Sequence, residues 1–205
     1  MRAHVASFGV LAAVALASPC ALAQSLQPTE EPAFTFRTRA LVVGSSDHSD
    51  PPGYKVYSTF PLEAGLGWAF HRLFALEIDA RTQSHEVDVA SASGPDTRLG
   101  SIELLPVYAL VQVRPWAGAL RPYAGLGANL TVVWEKSGLL DDTRIPPAFG
   151  PAVQLGLDIV VSRVVLLNFD ARWNILRLHL EGGAAPPATL QIDPLTLGVG
   201  LGFRI

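Results

Sequence analysis

A chain of 205 residues, 49% hydrophobic and only 16% charged, is sized for one domain, and its formal net charge of -3 argues against a nucleic-acid partner. No window reaches the roughly 18 consecutive apolar residues that a membrane-spanning helix requires. The apolar content must therefore be housed in another way.

Residues 1–23 read as a secretory signal peptide: Arg2 and His4, an apolar stretch from Val5 to Leu16, and Ala21-Leu22-Ala23 as a small-x-small cleavage site. The mature protein is expected to start near Gln24. A rival reading makes Cys20 the lipidated residue of a lipoprotein, but Ala17-Ser18-Pro19 suits that signal poorly. With cleavage after Ala23 the mature chain has no cysteine, hence no disulfide or thiol chemistry, and loss of Arg2 moves the net charge to -4.

Residues 24–32 form a polar, proline-bearing periplasmic leader, and residues 33–205 divide into eight segments of period-two alternation. The first, Ala33 to Val43, sets Phe34, Phe36, Ala40 and Val42 against Thr35, Arg37 and Arg39, and a turn-rich loop from Gly44 to Tyr54 follows. In the second, Phe60, Leu62, Ala64, Leu66, Trp68 and Phe70 alternate with Pro61, Glu63, Gly65, Gly67 and Ala69. A tight connection, His71 to Leu73, leads to the third, where Phe74, Leu76, Ile78 and Ala80 oppose Glu77, Asp79 and Arg81. A polar loop, Glu86 to Arg98, precedes the fourth, Ser101 to Arg114, in which Pro106, Tyr108, Leu110, Gln112 and Arg114 share one face.

After Pro115 to Leu120, the fifth segment places Tyr123, Gly125, Gly127, Asn129, Thr131 and Glu135 opposite Ala124, Leu126, Ala128, Leu130, Val132 and Trp134. Lys136 to Ala148 is loop. The sixth sets Val153, Leu155, Leu157 and Ile159 against Gln154, Gly156 and Asp158, and turns at Val161 to Arg163. The seventh sets Val165, Leu167, Phe169, Ala171, Trp173 and Ile175 against Asn168, Asp170, Arg172 and Asn174. Its pattern slips after Ile175, so Leu176 to Leu180 is expected to hold a bulge or to stand above the membrane.

The eighth segment, Leu190 to Ile205, has a large apolar face (Leu195, Leu197, Val199, Leu201, Phe203, Ile205) and a thin one of Thr196, three glycines and Arg204. Bulky residues facing lipid and a small, polar interior suit a bilayer-spanning barrel. Connections alternate long and short, so the expected fold is all-β, an eight-stranded antiparallel up-and-down transmembrane β-barrel with both termini on the short-turn side. Closure of the last strand on the first hides every backbone N–H and C=O from hydrocarbon. Pro61, Pro106, Pro151 and Pro194 recur at about one hairpin length, each near the outer end of a descending strand. Either they merely start strands, or each removes a ladder bond and weakens the upper wall.

Arg121-Pro122-Tyr123-Ala124-Gly125-Leu126-Gly127, then Ile192-Asp193-Pro194 and the closing Gly198-Val199-Gly200-Leu201-Gly202-Phe203-Arg204, resemble the OmpW family of outer-membrane proteins in motif order and spacing. The resemblance implies an eight-stranded barrel with a narrow apolar lumen, associated with passage of small hydrophobic molecules across the outer membrane. Such chains usually end in an aromatic residue read by the outer-membrane assembly machinery. This one ends in Ile205, with Phe203 as the available substitute.

Inward parity collects Arg37, Arg39, Arg81, Arg114, Arg172 and Arg204 with Glu63, Glu77, Asp79, Glu135, Asp158 and Asp170, a balanced set expected to pair as a charge network filling the lower and middle lumen. Toward the outer end, Tyr108, Leu110, Asn129, Thr131 and Ile192, with Tyr123, are the candidate lumen-lining residues. The expected function is passage of an apolar molecule from outside, stopped at the charged floor and released laterally into the bilayer. The alternative is a structural or adhesive barrel with a plugged lumen.

His48, His85, His179, Ser45, Ser49 and Asp50 have no spacing that links them into a catalytic triad, and His48 with Asp47 and Asp50 is a weak metal site. No enzyme activity and no cofactor are expected. A soluble lipocalin-like carrier is disfavoured because Trp68, Trp134 and Trp173 would face water, whereas Trp68, Trp116 and Trp134 suit membrane-interface anchors. Outer-membrane lipid and small hydrophobic molecules are the expected partners.

Overall fold

The computed structural model describes residues 34–44, 47–50, 54–58, 60–89, 97–115, 118–182, 188–192 and 195–205. The expected signal peptide and leader, Trp116 and Pro194 lie outside them. Thirteen strands follow one another among these residues: β1 Phe34–Gly44, β2 Asp47–Asp50, β3 Tyr54–Ser58, β4 Leu62–His71, β5 Phe74–Arg81, β6 Gln83–Val89, β7 Thr97–Val113, β8 Leu120–Lys136, β9 Ala148–Val160, β10 Val165–Asn174, β11 Leu176–Leu180, β12 Ala188–Ile192 and β13 Leu195–Arg204.

Eight of them, β1, β4, β5, β7, β8, β9, β10 and β13, are the staves of a closed antiparallel barrel. The seam joins β13 to β1 from Thr35↔Arg204 to Gly44↔Leu195. Gly200 lies at that seam with its backbone so close to Thr38 that a Cβ would strike the Thr38 carbonyl, so the thin face of the last strand lets two backbones approach.

The alternation read from sequence is the alternation of the wall. Along β1 the side chains switch strictly between exposed and buried from Phe34 to Val42, and the buried ones are Thr35, Arg37, Arg39 and Leu41. Leu62, Leu126, Leu155 and Phe149 are 75%, 65%, 65% and 74% exposed, a surface stable in hydrocarbon and unsuited to water. Aromatic contacts mark the short-turn end: Phe34 stacks on Trp68 at 6.5 Å and Phe70 on Phe74 at 6.4 Å, and Trp68 meets Phe70 in a tilted pair at 5.7 Å. Exposed Trp134 and Trp173 lie toward the long-loop ends of β8 and β10. Two such girdles bracket a bilayer.

Two expected loops, Gly44 to Tyr54 and Glu86 to Arg98, are partly strand. Asp47–Asp50 pairs with β12, Tyr54–Ser58 with β6, and β6 with the first half of β7. These ladders rise above the lipid-facing band, where Ser84 and Glu86 alternate with buried Gln83 and His85. With polar residues on both faces the hydrophobic alternation vanishes, although backbone pairing continues.

Two side-chain expectations need correction. Glu135 is exposed, because the register of β7 on β8 shifts between Glu103↔Glu135 and Leu104↔Val133, and Trp134, the extra residue, reverses the parity beyond it. After Ile175 the parity does not slip: Leu176, Leu178 and Leu180 continue the buried face of Arg172 and Asn174. What changes is the character of that face, from charged to apolar, as the chain leaves the barrel sheet for a separate β11–β12–β2 sheet.

Candidate functional site

The lower and middle lumen is filled by charge. Arg37 Nη1 bonds Glu77 Oε2 and its Nη2 bonds Asp158 Oδ2, both at 2.8 Å. Arg39 reaches Glu63 at 2.8 Å, Glu77 at 2.6 Å and Asp79 at 3.1 Å. Arg172 holds Glu63 at 2.9 Å and Asp79 at 2.8 Å, with Asp170 at 3.3 Å. All of these side chains are at most 2% exposed. Arg114 closes the lower end on Asp158 at 2.8 Å, and Arg81 the upper, 3.9 Å from Glu63 and bonded to Thr196 Oγ1 at 3.3 Å.

Neutral bridges complete the network. Gln112 Nε2 donates to Glu77 and to Gln154, Gln154 Nε2 donates to Asp170 at 2.7 Å, and Asn168 Nδ2 donates to Asp158 at 2.6 Å. Ions this deep are stable only when paired and hydrogen-bonded on most sides, and this lattice meets that condition. At its level the lumen is packed with side chains.

Arg204 stands apart from the plug. It sits at the short-turn rim, where its Nη2 donates to the carbonyl of Ser162 at 3.1 Å.

The candidate lumen-lining residues divide. Tyr123 belongs to the plug: its hydroxyl donates to Asp170 at 3.0 Å and accepts from Asn168 at 2.9 Å, and its ring lies 5.5 Å from the Arg114 guanidinium. Tyr108 and Leu110 are the register partners of Asp79 and Glu77, so they stand at the level of the charges rather than above them. The Tyr108 ring is held between Arg172 at 4.5 Å and Arg81 at 5.3 Å, and its hydroxyl accepts from Arg81 and donates to Asn174, both at 3.1 Å. Asn129 is the register partner of Tyr108 and so stands at its level, while Thr131, opposite Pro106, lies one step higher, and the two are bonded to each other at 3.0 Å. Ile192 pairs through its backbone with Leu176 and Asp47, and its side chain lies outside the described residues.

Above Tyr108 an apolar cluster fills much of the interior, beside buried Gln83 and His85 of β6, which stand opposite Leu104 and Ile102. Leu99, Ile102 and Leu104 of β7, Ala148 of β9, and Leu176, Leu178 and Leu180 of β11 form one buried cluster, with Leu140 of a 3-10 turn, Gly138–Leu140, inserted among them. Sequence reading left these residues unassigned. The available signal was the even parity of Ile102 and Leu104 with Tyr108, and of the three leucines with Arg172.

Among the described residues the wall is interrupted between β5 and β6. On β5 and β6 the pairs with β7 keep a single register from Phe74↔Val113 to Ala80↔Val107 and again from Gln83↔Leu104. Continuing it would set Arg81 against Pro106 and Thr82 against Leu105, and those two pairs are missing. Pro106 has no N–H to give a ladder. Pro61 and Pro151, by contrast, stand where the β1–β4 and β9–β10 pairings stop. Pro61, immediately before β4, suits the plain reading of a strand-starting proline, whereas Pro151 lies within β9 and is paired with Ala128 of β8.

On the lipid side a groove of about 580 Å³ reaches that break. It crosses β13, β1, β4 and β5 over Thr38, Ala40, Ala64 and Ala80, and ends at Thr82 and Leu105. Small outward residues on adjacent strands create the hollow. Behind them lie the wall positions of Arg39, Glu63 and Arg81.

The family model described as OmpW family matches residues 42–205. The dibenzothiophene metabolism operon protein PahQ of Pseudomonas aeruginosa is 31% identical over 113 residues, covering 53% of this chain and 54% of that protein. The chain thus spans about half the length of this curated relative. The crystal structure of the outer membrane protein OprG from Pseudomonas aeruginosa is similar at a TM-score of 0.70 and 21% identity, covering 85% of this chain and 97% of OprG. The outer membrane protein AlkL, solved by solid-state NMR in DMPC bilayers, is similar at 0.68 and 16% identity, covering 87% and 92%. At these identities the two structures speak to the fold, a closed outer-membrane barrel.

Proposed function

We propose that this chain, which belongs to the OmpW family and is an outer-membrane barrel, passes small apolar molecules from the outer face of the membrane sideways into the bilayer. The observation that carries this reading is the junction of the lipid-side groove with the two missing pairs at Arg81/Pro106 and Thr82/Leu105. An apolar molecule entering the leucine-lined mouth meets the ion-pair plug below it. Desolvating that plug to continue downward would cost far more than moving outward between strands that share no bonds at that point. Once in the groove it is surrounded by alkyl groups and loses nothing by joining the lipid.

The name of PahQ supports the substrate class, since dibenzothiophene is a fused, uncharged, apolar ring system. The reading uses no catalytic residue, cofactor or metal. Lateral release makes the charged plug a stop rather than a channel lining, so a closed floor and an open side serve one route.

Pro106→Val tests the exit. The variant supplies the missing N–H, so the ladder pair opposite Arg81 can form, with a gain of about 0.5–1.5 kcal/mol in stability. Entry of an apolar fluorescent dye into cells expressing P106V is expected to fall several-fold against the parent barrel. Entry at the parent rate in a correctly inserted P106V barrel would place the exit elsewhere.

A further inference from the structure

The 3-10 turn Gly138–Leu140 has the construction of a lid, and Leu140 is its key. Leu140 is 0% exposed, and all the neighbours in its cluster are aliphatic. They come from β7, β9 and β11, so the turn fills the outer mouth of the barrel from the side. Apart from Leu140 and Thr143, the turn and its flanks from Gly138 to Arg144 are exposed.

The polar bonds that hold this segment are of a kind that water can replace. Arg144 and Glu181 exchange two backbone hydrogen bonds, each 2.9 Å. Lys136 Nζ donates to the carbonyls of Asp141 at 2.9 Å and Thr143 at 2.6 Å. At the root, Ser137 N donates to the Ser101 carbonyl at 2.9 Å, and the two serine hydroxyls meet at 2.7 Å.

Two glycines shape the root. Gly138 has φ +72° and Gly100 has φ +152°, and a Cβ on Gly100 would strike the Ser137 carbonyl. The segment is therefore seated backbone on backbone, at a place where the chain takes a conformation that favours glycine. The closed state also carries a defect. Thr143 is 0% exposed and its hydroxyl has no hydrogen-bond partner, a group that regains water when the segment lifts. Closure thus rests on Leu140, with Ile145 packed against the same cluster, opposed by one buried hydroxyl.

We propose that the cavity occupied by Leu140 is the entry binding site, and that an uncharged, apolar molecule takes the place of the leucine side chain as the 137–147 segment lifts. Leu99, Ile102, Leu104, Leu176, Leu178 and Leu180 then form the first surface the molecule meets. The aliphatic part of the lining offers ions and molecules with many polar groups no partner, and Gln83 and His85, the register partners of Leu104 and Ile102, are its buried polar members. This site deepens the transport reading and rests on it for the direction of travel, while binding at the mouth stands or falls separately.

Arg144→Cys together with Glu181→Cys locks the segment. The two positions are a hydrogen-bonded antiparallel pair, whose Cα atoms lie about 5.5 Å apart, within disulfide range. Both side chains are exposed, so the substitutions leave the cluster intact. The probe is an alkyl diazirine, and the first readout is photolabelling of residues 99–104 and 176–180 in the purified barrel in lipid nanodiscs. Labelling is expected in the reduced double variant and is expected to drop about tenfold on oxidation, corresponding to about 1.4 kcal/mol in binding. Leu140→Ala is expected to raise labelling above the parent level.

Equal labelling in the oxidised and reduced forms, or no increase in L140A, overturns the lid. The second readout is dye uptake by vesicles holding the same proteins. Lock-dependent labelling without uptake by any form retains the binding site and removes the transport reading. Uptake that is indifferent to the lock retains transport and removes the lid.

Discussion

Replacing Ala64 and Ala80 together by phenylalanine is expected to lower apolar-dye uptake about tenfold, equivalent to about 1.4 kcal/mol on the barrier. The two alanines are register partners on β4 and β5, and both face the groove. Two aromatic rings there occupy the space between the ladder break and the lipid, so a molecule leaving the wall has no hollow to enter. The substitution adds apolar surface on the lipid side, where it is solvated by acyl chains, and leaves the ion pairs untouched. Folding should be unchanged, as read by heat-modifiable mobility in detergent gels. Phenylalanine at the outward, exposed Ala124 of β8, away from the groove, is the control and should leave uptake at the parent rate. Equal loss in the control, or no loss in the double variant, would remove the groove from the route.

Arg172→Leu carries the largest expected effect on stability. Arg172 joins Glu63, Asp79 and Asp170 and stacks on Tyr108. Its removal strips these buried carboxylates of a shared counter-ion, a loss of about 3–5 kcal/mol. The loss should appear as a lower urea midpoint for the barrel in lipid vesicles, with an unchanged slope. Arg172→Lys keeps the charge but cannot bridge two carboxylates with a planar fork, so it is expected to fall between the parent and R172L. A midpoint for R172L equal to the parent would mean that the plug contributes nothing to holding the staves.

The barrel was legible in the sequence because a membrane reverses the usual pattern without weakening its period. Leu195, Leu197, Val199, Leu201 and Phe203 face out as their parity predicts, and Arg37 and Arg39 face in. Inward parity also collected the buried charges. It could not pair them, since Arg37 and Asp158 are 121 residues apart and meet only once the cylinder closes.

Other features depend on register rather than period. The groove exists because Thr38, Ala64 and Ala80 fall beside one another on neighbouring strands, which no single strand reveals. The displacement of Glu135 comes from one extra residue in β8. The collar of β2, β3 and β6 was hidden because strands in water need no apolar face. Leu140 is buried from within a polar segment, where one leucine has no periodicity to declare it.

A closed floor and a side exit are tested together by comparing two leaks in one preparation. Vesicles with lipopolysaccharide in the outer leaflet, with and without the barrel, are given an apolar dye outside and an ion-sensitive reporter inside. Faster dye entry with the barrel, and ion flux no greater than in protein-free vesicles, is the predicted result. Dye entry equal in both preparations, or dye entry accompanied by a matching ion flux, would contradict it.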